Sequence, residues 1–343
     1  MFPALLYGSR HLVPHCPEFT RFSAMSLPIA GPFAPRRIVI GANAHAELAQ
    51  TIRAARSDLE IRGNKFTELS SDDMAWGEAY VGFKRPPTAT MGNIRWVHCT
   101  GAGVDAWLYP EALSHQILLT RSSESFGPMI AEWALARALA YSQQNVDLAQ
   151  CQRLHRWAPR DIPRLRGTKA VVVGTGDVGT HVGRLFGALG CRVYGVSRSG
   201  DGDASVFSAM AEVSALRDMA AVADWLIVTL PLTEATRGLI SRDIMRACRG
   251  AVLINSGRGA VVDEAAIPEA LDAGWLKGAA LDVFQVEPLP LDSPLWQDTR
   301  VMLSPHISGI TTIDGASAGF LECLADLELG TRPKWSVDRE RQY

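Results

Sequence analysis

From Arg36 onward the chain repeats one pattern: a short apolar run, a polar break, then a longer stretch with apolar residues three and four positions apart. The first kind of segment predicts strands and the second predicts helices. In the first half, strands are expected at 37–41, 59–61, 79–83, 95–99 and 116–120, and a helix over 44–55 with Leu48, Ile52 and Ala55 on one face. A long helix over 128–144, apolar at Ile130, Trp133, Ala134, Ala138 and Tyr141, then gives way to polar residues. In the second half, strands are expected at 170–174, 192–197, 225–230, 251–255, 278–284 and 301–304, with helices between most of them. After His306 a last helix carries Phe320, Leu324 and Leu327 on one face and stops at Gly330.

Strands alternating with helices indicate parallel sheets covered on both faces. A chain of 343 residues exceeds what one core usually serves. The expected fold is therefore α/β, with two doubly wound parallel-sheet domains. Six strands in the second half fit a Rossmann dinucleotide-binding sheet, taken as 128–309. The smaller, flavodoxin-like substrate domain is taken as 36–127 together with 310–343, because the final helix is too short to stand alone and is expected to fold back. An active site is then expected in the cleft between the two.

Composition narrows the partners. Hydrophobic residues make up 47% and charged residues 20%, with a net charge of −2, so neither nucleic acid nor an anionic membrane surface is expected. Six scattered cysteines, with no C-x-x-C and no cysteine–histidine cluster, read as reduced thiols of a cytoplasmic protein without a metal. No apolar run reaches the ~18–20 residues of a membrane span. Residues 1–35, with Pro3, Pro14, Pro17, Pro28, Pro32 and Pro35, read as a poorly ordered extension or an upstream start with Met25 the true one, and only faintly as a transit peptide.

The segment GTGDVG at 174–179 follows the apolar run at 170–173 and opens a helix with Val178, Val182, Leu185, Phe186 and Leu189 on one face. G-x-G-x-x-G alone is weak, and this context strengthens it. Gly174 permits the tight turn, Gly176 lets the backbone approach a pyrophosphate, and Gly179 lets helix pack on strand. The helix start at Asp177 and Val178 offers N–H groups and a positive dipole end to phosphate. An acid is expected at the end of the next strand for a ribose 2′-hydroxyl, but Ser197, Arg198 and Ser199 stand there. An arginine and hydroxyls would bind a 2′-phosphate that a carboxylate would repel, so NADP(H) is the expected cofactor, with NAD(H) the alternative if Arg198 is merely solvated and stacks on adenine. A second, weaker fingerprint, Gly101-Ala-Gly-Val-Asp-Ala106, is followed too soon by Pro110 and reads as a tight anion-binding loop.

The motifs GTGDVG (174–179), LPLTEATRGL (230–239), INSGRG (254–259), ALDVFQVEPLP (280–290) and SPH (304–306) agree in order and spacing with the D-isomer-specific 2-hydroxyacid dehydrogenases, which this chain resembles strongly from about 165 to 309. In the N-terminal half TGAGVD (100–105) is the main anchor. The Ser197-Arg198 variant is similar to the glyoxylate/hydroxypyruvate reductase branch.

The chemistry of three residues fits those family roles. Reducing a 2-oxo acid requires a hydride on the carbonyl carbon and a proton on its oxygen. His306 can give up that proton, and Glu287 can orient its ring and favour its charged form. Arg258 can grip the substrate carboxylate with two parallel hydrogen bonds. N–H groups around Gly101, Ala102 and Gly103 would hold the same carboxylate from the other domain. The resemblance implies that Asp282 accepts from the nicotinamide carboxamide, that Leu230 and Pro231 line the cofactor cleft, and that Ser256 contacts it, with Thr233 supporting the turn. It also implies a homodimer acting on a small-molecule 2-oxo acid. Trp76, Phe83, Met129 and Trp335 are candidates for substrate selection. Two other functions remain open from sequence: a dinucleotide-sensing, corepressor-like binding protein, and a dehydrogenase of phosphite or of a bulkier 2-oxo acid.

Overall fold

The computed structural model describes residues 28–343 apart from 30, 89 and 123–125, so most of the expected extension, residues 1–27, lies outside the described residues. The first sheet is built from β1 (Arg37–Gly41), β2 (Glu60–Asn64), β3 (Ala79–Val81), β4 (Trp96–Cys99) and β5 (Leu118–Arg121), in the order β2-β1-β3-β4-β5. Every pairing is parallel, as in flavodoxin-like sheets. Helices α1 (His45–Ala55), α2 (Ser71–Trp76) and α3 (Asp105–Leu108) lie between these strands in sequence. Side chains alternate across the sheet: Ile38, Ile40, Trp96 and Leu118 enter one core, while Val39, Val97 and Leu119 enter another. Burial on both faces explains why these strands read as continuous apolar runs.

The second half opens with α4 (Phe126–Ser142) and α5 (Asn145–Arg153). Its sheet consists of β6 (Lys169–Val173), β7 (Arg192–Ser197), β8 (Ala209–Glu212), β9 (Trp225–Val228), β10 (Ala251–Asn255), β11 (Leu276–Leu281) and β12 (Val301–Leu303). Helices α6 (Asp177–Ala188), α7 (Leu216–Val222), α8 (Arg242–Ala247) and α9 (Ile267–Asp272) connect these strands. The order β12-β11-β10-β9-β6-β7-β8 reverses direction between β6 and β9, which opens a crevice at their C-terminal ends. Two expectations are corrected. The sheet gains β8, an edge strand with no buried residue, and the polar stretch after 144 forms α5, also with none buried. β8 is a four-residue edge strand whose Met210 and Ala211 are only half-buried, and the apolar Val146 and Leu148 of α5 are exposed.

The chain then returns to the first sheet through α10 (Ile313–Glu328), whose start is capped by Thr312 Oγ1 accepting from Gly315 N at 3.0 Å. Phe320 stacks on Trp96 with centroids 5.0 Å apart, and Leu324 and Leu327 enter the same core as β1. Beyond the helix, Thr120 and Ser336 form an antiparallel bridge beside β5. Ile29 and Phe33 are buried in this core too, and Phe33 N donates to Leu327 O, so these two residues at the end of the expected extension pack on the first sheet. Among the described residues no helix is long and apolar enough to cross a membrane, and no group of histidine, cysteine and acidic side chains suits a metal ion.

Candidate active site

The cofactor crevice is shaped by backbone contacts. Gly174 ends β6 at φ +103°, a conformation open to glycine, and Thr229 Oγ1 donates to its carbonyl at 2.8 Å. A side chain at Gly179 would overlap that same carbonyl, so α6 packs directly on the turn. Gly176, the residue before Asp177 and Val178, has open space above it, and the start of α6 has no side-chain cap. An uncapped helix N-terminus under a clear approach fits a dinucleotide pyrophosphate. Leu230 lies against Gly174 and its backbone against Gly257, with Pro231 half-buried beside it and Ser256 buried below. Thr233 is buried and exchanges hydrogen bonds with Thr236, which braces this turn.

At the end of β7, Ser197 Oγ donates to Asp201 O at 2.9 Å and Arg198 is exposed. The nearby Asp203 carboxylate is engaged by Arg184 and by Ser205. Its charge is therefore partly neutralised.

The three charged residues come together across β10, β11 and the segment after β12. His306 has φ +53°, the left-handed region that costs a side-chain-bearing residue energy unless its surroundings hold it. They do. Its N–H donates to Asp282 O at 2.8 Å, while the Asp282 carboxylate accepts from Ile307 N, Ser308 N and Ser304 Oγ. Trp133 Nε1 adds a bond to Ser304 Oγ from α4. Asp282 is buried in this conformation. Its carboxylate and carbonyl hold the turn that carries His306.

His306 Nδ1 lies 2.8 Å from Glu287 Oε2, and Glu287 Oε1 accepts from Phe284 N at 3.0 Å. Burial pushes the Glu287 carboxyl up, but the bonds from His306 and Phe284 and the charges of His306 and Arg258 outweigh it and hold it below the usual range. With Nδ1 committed, Nε2 is the ring nitrogen left to exchange a proton with a ligand.

Arg258 follows β10, where Asn255 braces the turn through Arg258 O and Gly257 N. Its Nε donates to Asp105 Oδ2 at 2.5 Å and its Nη1 to Gly257 O at 2.7 Å. Its Nη2 lies against Gly103, where any side chain would collide with it. The loop Gly101-Ala102-Gly103 therefore does face the arginine from the other domain. Phe83 packs on Gly101, and Arg121 Nη1 donates to Ala102 O at 2.8 Å. Of the four candidates for substrate selection, Phe83 touches this loop. Trp76 is covered by Arg62, and Trp335 bonds Glu322 beside α10. Met129 is half-buried near the start of α4. Asp105 and Arg121 were missed as site residues; the one available signal was an acid directly after a glycine-rich loop.

The chain is similar to known proteins. Residues 133–308 match the family described as D-isomer specific 2-hydroxyacid dehydrogenase, NAD binding domain. The chain is 35% identical over 254 residues to an uncharacterized protein in the mprR 3′ region of Streptomyces coelicolor, covering 73% of this chain and 90% of that one. It is similar to a D-isomer specific 2-hydroxyacid dehydrogenase from Xanthobacter autotrophicus Py2 in complex with NADPH and MES, at TM-score 0.81 and 29% identity over 92% of this chain and 100% of that one. It is also similar to an NADPH-dependent glyoxylate/hydroxypyruvate reductase from Sinorhizobium meliloti in complex with NADP and sulfate, at TM-score 0.80 and 25% identity over 90% of this chain and 99% of that one. With the nucleotide crevice, the charged cluster and a match across half its length in agreement, the chain belongs to the D-isomer specific 2-hydroxyacid dehydrogenase family.

Proposed function

We propose that this protein reduces a small 2-oxo acid, of the size of glyoxylate or hydroxypyruvate, to the D-2-hydroxy acid, with NADP(H) preferred over NAD(H). The observation that carries it is the convergence of Arg258 and the His306–Glu287 pair opposite the loop 101–103, beside an open helix N-terminus. When bound, the nicotinamide cofactor supplies the hydride. Arg258 and the N–H groups of Gly101, Ala102 and Gly103 bind the substrate carboxylate from two sides, which couples binding to domain closure and excludes water. His306 passes a proton from Nε2 to the carbonyl oxygen as negative charge builds there. Glu287 holds the ring by Nδ1 and stabilises its charged form until that proton leaves.

Arg198 at the end of β7, with Asp203 already engaged by Arg184, supports a 2′-phosphate. Trp157, 94% exposed, and Leu154 leave apolar surface after α5 that a second copy would cover in a homodimer, and sedimentation checks it. The deciding experiment is a screen of NADPH oxidation over glyoxylate, hydroxypyruvate, pyruvate, phenylpyruvate and 2-oxoisocaproate. Turnover is expected with the smaller acids. Silence on all five rejects the proposal.

A further inference from the structure

The anion-binding arginine of the cleft already has an anion. Arg258 Nε donates to Asp105 Oδ2 at 2.5 Å, from the dinucleotide-binding half to the loop of the other half. The two side chains are only 21% and 27% exposed, so solvent screens this pair weakly. Nη1 spends one N–H on Gly257 O, which leaves its second N–H and both on Nη2. The guanidinium is therefore gripped along its Nε edge by an acid and offers its Nη edge, beside Gly103, to a ligand.

A second guanidinium stands behind the same loop. Arg121, at the end of β5, donates to Ala102 O. The carbonyl and N–H of one trans peptide unit point in opposite directions, so this bond turns the Gly103 N–H away from Arg121. In direct contact with the loop are thus two guanidinium charges, Arg258 and Arg121, and one carboxylate, Asp105, while Asp177 and Tyr343 act on Arg121 from farther off. Glu287 is paired with His306 and not with the loop. Among the groups that touch the loop the formal sum is therefore one positive charge, and the more distant acids only lower it.

We propose that Asp105 is a specificity-determining residue that sets the charge this cleft accepts: it fixes Arg258 by Nε and cancels one guanidinium charge, so a 2-oxo monocarboxylate is matched and a 2-oxo dicarboxylate is not. This rests on the function proposed above, with Arg258 as carboxylate binder, and deepens it by naming the charge class of the substrate. A second ligand carboxylate enters a subsite with no positive charge left for it and lies near Asp105. One unit charge a few ångströms away, in a half-open cleft, changes affinity by on the order of tenfold or more.

Oxamate and oxalate, close in shape and different by one charge, separate this role from simple support of Arg258. Each is titrated against the full chain with NADPH present, in wild type, Asp105→Asn and Asp105→Glu. The oxalate-to-oxamate affinity ratio is expected to rise about tenfold in Asp105→Asn and to stay near wild type in Asp105→Glu. NADPH affinity serves as the control for folding, and Asp105→Ser replaces Asp105→Asn if that variant does not fold. Equal loss of both anions in the neutral variant means that Asp105 only positions Arg258, and overturns the charge role. Failure of wild type to bind oxamate, together with silence on every 2-oxo acid, overturns the proposed function itself. Turnover of glyoxylate with an unmoved ratio overturns this inference alone.

Discussion

Asp282 holds His306 by its main chain and by its side chain at once: its carbonyl accepts the His306 N–H at 2.8 Å, and its carboxylate takes the next two N–H groups of the same turn. An asparagine there keeps the shape but presents an NH₂ group to one of those donors. Asp282→Asn is therefore expected to lower kcat by roughly 10²-fold, the scale of a misplaced catalytic group, with a smaller change in NADPH affinity. Wild-type kcat in this variant would remove the positioning role.

His306→Gln is expected to lose about 10²–10⁴-fold in turnover, while the fold and NADPH binding survive. Arg258→Ala is expected to lose carboxylate binding as well, visible as a loss of oxamate affinity. Stopped-flow cofactor binding beside steady-state rates separates the two effects. Retained turnover in either variant excludes that residue from the mechanism.

Glu287 sets an acid limit. Its carboxyl is held below the ordinary 4.5, so the stabilising pair with His306 is fully present above that value and is lost only as pH falls through the lowered one. The acid limb of kcat/KM is expected below the ordinary carboxylate range. A Glu287-dependent limb well above 4.5, absent in Glu287→Gln, contradicts the observed bonding.

Arg198→Ala tests cofactor choice. The ratio of kcat/KM for NADPH over NADH is expected to fall by roughly tenfold or more, since one charge-assisted contact to phosphate is removed. Preference for NADH in wild type rejects the assignment.

His98 predicts an acid weakness of the fold. It is fully buried between Thr120 and Ser122, and burial pushes it down to about 3. The unfolded chain takes up a proton near 6.5 that the folded one refuses, so stability falls as pH drops from 6.5 toward 3. The slope from this group reaches about 1.4 kcal/mol per pH unit. Denaturant titrations at several pH values should show a shallower slope in His98→Gln; an unchanged slope rejects the linkage.

Much of this was readable from sequence because it is written locally. The strands β6 and β10 are buried on both faces and so appear as apolar runs, and the charged residues Arg258, Glu287 and His306 sit inside short motifs whose glycines and prolines fix the turns. Structure near the surface was hidden: β8 and α5 hold no fully buried residue. So were partnerships made by folding. Asp105 meets Arg258 across 153 positions, and no spacing rule connects them. The bonds that Asp282 accepts from the N–H groups of Ile307 and Ser308 were hidden too, because they depend on a turn that the left-handed His306 creates.

The return of α10 to the first sheet has a consequence for biosynthesis. Trp96, Ile38 and Leu118 emerge from the ribosome long before Phe320, Leu324 and Leu327, which complete their core. The nucleotide-binding sheet lies wholly between them in the chain and needs none of those late residues. The inserted half can therefore fold first, while the half that starts the chain waits, with an open apolar face, for the last segment to be made.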